Sequence, residues 1–81
     1  MFYVYVLRSL KNGKKYVGFT SKDPAIRLAE HNHGTNRWTR QNAPHELIYQ
    51  EFFVDESEAR KREKFLKSGL GRQELNKILS R

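Results

Sequence analysis

Phe2-Tyr3-Val4-Tyr5-Val6-Leu7-Arg8-Ser9, an interruption carrying Asn12-Gly13, and then Lys15-Tyr16-Val17-Gly18-Phe19-Thr20 read as two antiparallel strands about a tight turn. Both runs are rich in β-branched and aromatic residues, and Asn-Gly between two such runs is the strongest short hairpin signal. With Asn12 and Gly13 as a two-residue loop, Tyr5 lies opposite Thr20, Leu7 opposite Gly18 and Ser9 opposite Tyr16. Tyr5 and Tyr16 then share a face of the sheet. Between them Gly18 has no side chain, which predicts a floor open to a ligand that comes close to backbone. Each tyrosine alone is an ordinary half-buried strand residue. Two of them beside a bare glycine make a candidate site.

The chain around this hairpin has 81 residues, the size of one small domain (1–81). Such a chain buries only about 60 to 65 per cent of its extended surface, so a site should lie on a face of the sheet rather than in a deep cavity. It has no cysteine, and therefore neither disulfides nor a thiolate zinc site. The longest apolar run, Phe2 to Leu7, is far below the roughly 20 residues of a membrane span, and no basic segment precedes it as a secretory signal would require. A cytoplasmic protein with no membrane partner is expected. Sixteen Lys and Arg against nine Asp and Glu give a net charge of +7. In the first 45 residues Arg8, Lys11, Lys14, Lys15, Lys22, Arg27, Arg37 and Arg40 face only Asp23 and Glu30. That excess points to a nucleic-acid partner, with a merely soluble basic surface as the alternative.

After the hairpin, Asp23 can cap a helix with Pro24 at its first position, and Gly34 is its natural stop. Ala25, Leu28, Ala29 and Asn32 form the stripe expected to pack on the sheet; Arg27 and His31, four apart, stack on an adjoining face. Residues 35–45 read as a connection in which Trp38 is the one large apolar group. Flanked by Arg37 and Arg40, Trp38 suits phosphate contact with stacking on a base or sugar, or equally a place under the loop as a satellite of the core. His33 and His45 have no evident partners, and three histidines without supporting ligands do not make a metal site. Glu46 to Phe52 is a third strand, with Leu47 and Tyr49 on one face and Ile48 and Phe52 on the other. Asp55 with Glu58 three residues on opens a second helix.

That helix places Ala59, Glu63, Leu66 and Leu70 on one apolar stripe. A carboxylate there is either the partner of a neighbouring cation, Lys67 at i+4, or a ligand for a divalent ion. Magnesium binds through one or two carboxylates plus waters and phosphate oxygens, so one Glu can suffice when substrate supplies the rest. Gly69 to Gly71 reads as a break, and Arg72 to Leu79 as a short helix packing Leu75, Ile78 and Leu79.

The fold class is therefore α+β, a three-stranded antiparallel sheet flanked by helices in the order β-β-α-β-α-α. In this order the chain resembles the GIY-YIG nuclease superfamily, and most of all its small single-domain bacterial members. Tyr3-Val4-Tyr5 stands for the first tripeptide of the name, with Tyr3 in place of its glycine, and Tyr16-Val17-Gly18 for the second. Arg27, His31 and Glu63 follow in the family's order. The resemblance implies a phosphodiesterase, an endonuclease acting on DNA ahead of RNA, with a place in repair or recombination, one Mg2+ or Mn2+ ion and no small-molecule cofactor. It implies that Tyr5 or Tyr16 activates the attacking water, that Arg27 with His31 beside it neutralises charge on the phosphate, and that Glu63 holds the metal. Asn76 is a secondary candidate, matched to an asparagine that family nucleases carry beyond the glutamate. Lys15, Arg37, Trp38 and Arg40 are the candidate nucleic-acid contacts. The alternative is a nucleic-acid-binding module that keeps the fold without efficient cleavage. Under the nuclease reading Tyr5, Tyr16, Arg27 and Glu63 should converge on one surface.

Overall fold

The computed structural model describes residues 1–34 and 36–80. Seven elements follow in order: β1 (Phe2–Ser9), β2 (Lys15–Thr20), α1 (Pro24–Asn32), α2 (Arg37–Gln41), β3 (His45–Phe53), α3 (Glu56–Leu66) and α4 (Gly69–Leu79). The strands form one antiparallel sheet in the order β2-β1-β3, so the first strand of the chain is the central one. This is the expected α+β arrangement with one addition. The stretch read as a bare connection contains α2, which Asn36 caps by accepting from the Thr39 amide. Residue 35, which opens that stretch, and residue 81, the end of the expected domain, lie outside the described residues. Among those described, no helix is long and apolar enough to cross a membrane.

The hairpin strands lie where expected, but their register is two residues from the expected one. Tyr5 pairs with Gly18, Leu7 with Tyr16 and Tyr3 with Thr20. A two-residue type I′ loop needs positive φ at both central positions, and here only Gly13 has it, at 77°. The loop instead spans Leu10 to Gly13, with Ser9 N–H donating to Lys14 O and Gly13 N–H to Ser9 O, each at 2.8 Å. Ser9 Oγ accepts from the Lys11 and Asn12 amides and donates to the Asn42 carbonyl, which fastens this wider loop to the segment after α2. A shift of two keeps the alternation of side chains, so Tyr5 and Tyr16 still share a face.

In β3 the expected alternation breaks. Tyr49 pairs with Val6 and Leu47 with Leu7, leaving Ile48 as the extra residue of a bulge. Leu47 and Tyr49 therefore lie on opposite faces, and Phe52, edge-on to Tyr3, lies on the face opposite Ile48 and Tyr49.

One face of the sheet carries the core: Val4 and Val6, with Val17, Ile48, Tyr49 and Phe53 around them, packed by Ala59 and Leu66 of α3 and Leu75 of α4. Asp55 caps α3 through the Ser57 amide, as expected. The helix ends at Leu66, so Leu70 is not on its stripe and is exposed. The break falls at Lys67 and Ser68 rather than at the glycines, because Ser68 caps α4 by accepting from Gly71 N–H. A Cβ on Gly71 would overlap the Phe65 carbonyl oxygen, so the start of α4 can lie against the end of α3 only with glycine there. Arg62 ties α3 to both neighbours, with Nε 2.9 Å from Glu51 on β3 and Nη1 3.0 Å from Glu74 on α4.

The opposite face bears Tyr3, Tyr5, Leu7, Gly18 and Tyr16, and α1 and α2 cover it. Asp23 and Pro24 start α1 as expected, but the helix is turned from the expected stripe. Ala25 and Ala29 are exposed, whereas Pro24 and His31 are buried and Arg27 and Leu28 half-buried. The sheet presents a phenol hydroxyl here, and burying it requires a polar partner rather than alanines.

Candidate functional site

Tyr5 is the centre of the α1-covered face, on the central strand and 1% exposed. Its ring lies across Gly18, where any added Cβ would overlap the ring carbon Cζ and the hydroxyl. The bare glycine is therefore not an open floor for a ligand, as its spacing predicts. It is the slot in which Tyr5 lies.

The slot directs the Tyr5 hydroxyl to His31, whose Nε2 is 2.8 Å away. Arg27 Nη2 approaches the same nitrogen at 3.3 Å. A guanidinium only donates, so Nε2 is the acceptor, the imidazole is neutral with its proton on Nδ1, and Tyr5 donates. The electrostatics agree. Burial, then the charges of Arg27 and His45, push the His31 imidazole down to about 4. Burial, then Tyr16, pushes the Tyr5 phenol up to about 12, although Arg27 hydrogen-bonds its oxygen and works the other way. Arg27 keeps its charge despite burial because Glu30, 2.8 Å from Nη1, and the Tyr5 oxygen both favour it.

Tyr16 stands beside this cluster, half-buried, its ring edge-on to His31 at 5.0 Å and stacked on Trp38 at 5.5 Å. Trp38 in turn stacks on His45 at 5.5 Å. His45 is buried, donates from Nε2 to Thr39 O, and receives its backbone position from Asn32 Oδ1. Trp38 is thus a satellite of the core, flanked by Tyr16 and His45. The stacking role expected for its ring faces on a base is filled by these neighbours instead. Nothing in the sequence marks His45 as the support of that stack.

The expected convergence of Tyr5, Tyr16, Arg27 and Glu63 on one surface is not met, because the stripe of α3 that carries Glu63 packs on the opposite face of the sheet, with Val4 and Val6. Glu63 projects from α3, on the core side of the sheet, with its side chain 22% exposed and its Oε2 3.1 Å from Lys67. It is still near enough for its charge to disfavour ionisation of Tyr5, and its partner Lys67 reaches the free edge of β2. Along that edge runs a groove of about 760 Å³ whose lining includes Lys15, Tyr16, Trp38, Lys67 and Asn76. Tyr5, Tyr16, Arg27 and His31 are therefore brought together directly, and Lys15, Trp38 and Asn76 are brought to the adjoining groove. Arg37 and Arg40 are exposed and lie outside it, Arg40 folding its stem against Gly34. Lys14, Lys67 and Arg72 also line the groove, and no sequence motif marks them.

No group of three or more His, Cys, Asp or Glu gathers among the described residues. A lone half-buried carboxylate suits a hard cation that completes its shell with waters and substrate oxygens, as magnesium does.

Comparison with known proteins gives a consistent picture. A model of the GIY-YIG catalytic domain matches residues 1–76. A UPF0213 protein of Staphylococcus saprophyticus is 38% identical over 79 residues, covering 96% of this chain and 93% of the relative. One of Clostridium perfringens is 37% identical over 82 residues, covering 100% and 86%. The solution NMR structure of a UPF0213 protein from Bacillus halodurans, 30% identical, superposes with a TM-score of 0.57 over 96% of this chain and 85% of that one.

Proposed function

This chain belongs to the GIY-YIG catalytic domain family, a domain of nuclease type, and from that premise we propose that it is a divalent-metal-dependent endonuclease of the cytoplasm acting on DNA. The observation that carries the reading is the buried bond from Tyr5 to His31, with Arg27 on the same His31 nitrogen.

The two tyrosines divide the work. Tyr5 is buried and its hydroxyl is committed to His31, so it is a positioning residue that holds Arg27 and His31 in place. Tyr16 lines the groove and can touch a phosphodiester. Its oxygen takes a proton from the attacking water as the water oxygen bonds to phosphorus and the ester P–O bond on the far side breaks. Arg27 neutralises the charge that builds on the phosphoryl oxygens. Glu63 would hold the magnesium or manganese ion, which supplies Lewis-acid stabilisation of the departing oxygen.

Two observations favour a second reading, in which Glu63 is only a salt-bridge partner and the domain binds nucleic acid without cutting it: the bond from Lys67 to Glu63, and the packing of the Glu63 stripe of α3 on the sheet face opposite the tyrosines. Cleavage of labelled linear, nicked and branched DNA with magnesium or manganese separates the two readings. Under the nuclease reading Glu63→Ala and Arg27→Ala lose cleavage, with affinity retained or raised for the first and modestly lowered for the second. Tyr16→Phe loses about a hundredfold or more in rate. Wild-type protein that binds these substrates and cuts none of them would establish the second reading.

A further inference from the structure

Tyr16 stands half-buried on β2, an edge strand of the sheet. Among the described residues no hydrogen bond holds its hydroxyl, so its ring is placed by the rings around it. Tyr5 at 6.4 Å and His31 at 5.0 Å belong to the proposed reaction; Trp38, stacked at 5.5 Å, does not. A half-open tyrosine at a sheet edge has more than one staggered side-chain well within reach, and a stacked ring shifts such populations by about two- to tenfold. Trp38 is itself held more firmly than a space-filling aromatic requires. Its carbonyl accepts from Asn42 Nδ2 at 2.8 Å. Its ring is backed by His45 at 5.5 Å, and His45 Nε2 donates to the carbonyl of Thr39, the buried residue that follows Trp38. Asn32, at the end of α1, accepts the His45 N–H at 2.8 Å. His45 Nδ1 is buried and has no partner among the described residues. An apolar ring would back Trp38 without that penalty; what the imidazole adds is the bond to Thr39, which fixes the helix that carries Trp38. The stack lies across the sheet from the hydrophobic core, and it ends on the Tyr16 ring.

We propose that Trp38 is a positioning residue for the reaction: its ring, backed by His45, holds the Tyr16 phenol against His31, in the orientation from which it takes the proton of the attacking water. Trp38 acts through Tyr16 and touches no reacting atom. The inference rests on the proposed role of Tyr16 as the base.

The test compares Trp38→Phe, which keeps a flat ring, with Trp38→Leu, which keeps apolar bulk without one. Melting curves check that both are folded, and Trp38→Met takes the place of a leucine variant that is not. In single-turnover cleavage of the same DNA substrates with magnesium, Trp38→Leu should lose about tenfold or more in the rate at saturation, with the half-saturating concentration within about twofold, and Trp38→Phe should stay within about threefold of wild type. In a Tyr16→Phe background, Trp38→Leu should lower the rate no further. Independently of cleavage, nuclear Overhauser contacts between the Tyr16 and His31 rings should be present in the wild type and in Trp38→Phe and lost in Trp38→Leu. An unchanged rate or unchanged ring contacts in Trp38→Leu, a loss confined to the half-saturating concentration, or a further loss of rate in the Tyr16→Phe background would overturn the positioning role and leave the nuclease reading standing. Wild-type protein that cuts none of the substrates would remove the base role of Tyr16 and this inference with it.

Discussion

Lowering the pH from 7 to 5 should weaken the fold through His31, by an amount that follows from where its imidazole sits. In the folded protein burial and Arg27 push it down to about 4, against about 6.5 in an unfolded chain. A depressed value means that the unfolded state takes the proton first. The contribution is present in full above pH 6.5 and is lost as the pH falls towards 4. Across pH 7 to 5 the loss is about 2 kcal/mol, or about 10 °C in melting temperature for a domain of this length. Most of this window lies above the pH at which carboxylates take up protons, which isolates the imidazole. The assay is urea unfolding at both pH values for the wild type and for His31→Gln, which keeps an acceptor for the Tyr5 hydroxyl and cannot ionise. The gap between the two proteins should shrink by about 2 kcal/mol on acidification. Equal pH dependence in both would refute the picture of a buried neutral imidazole accepting from Tyr5.

Gly18→Ala should cost about 2 to 4 kcal/mol in urea unfolding, because the new methyl meets a buried Tyr5 ring that can move only by giving up His31; a cost under about 0.5 kcal/mol would mean the ring does not need the slot. Arg62→Ala should cost about 2 kcal/mol or more, since Glu51 is left half-buried with only the Tyr49 hydroxyl on it. Lys67→Ala, at an exposed i,i+4 pair, should stay within about 0.5 kcal/mol by the same measurement.

Much of this architecture is legible in the residues. Alternation alone put Tyr5 and Tyr16 on one face, and it survived an error of two residues in register because the period of a strand is two. Asp23, Pro24 and Asp55 marked their helix starts correctly because capping is local chemistry. What the sequence hid depends on contacts distant along the chain. The hairpin loop is set partly by Ser9 reaching Asn42, the bulge at Ile48 by pairing with a strand some forty residues earlier, and the orientation of α1 by a hydroxyl it must satisfy. The reading of Gly18 failed for the same reason: the sequence shows that space is present there but not which side chain fills it. Periodicity placed Glu63 on the inward stripe of α3, yet could not say that this stripe packs on the far side of the sheet from the tyrosines.

The strand order β2-β1-β3 has a consequence in time. Of the three strands the central one leaves the ribosome before the others, and one of its partners follows across a four-residue loop while the other lies beyond two helices. Closing the 35 residues between Ser9 and His45 costs about 2 kcal/mol more chain entropy than closing the hairpin. A nascent chain therefore holds the hairpin early and waits for β3, and until β3 docks one edge of the central strand is open to any other extended chain nearby.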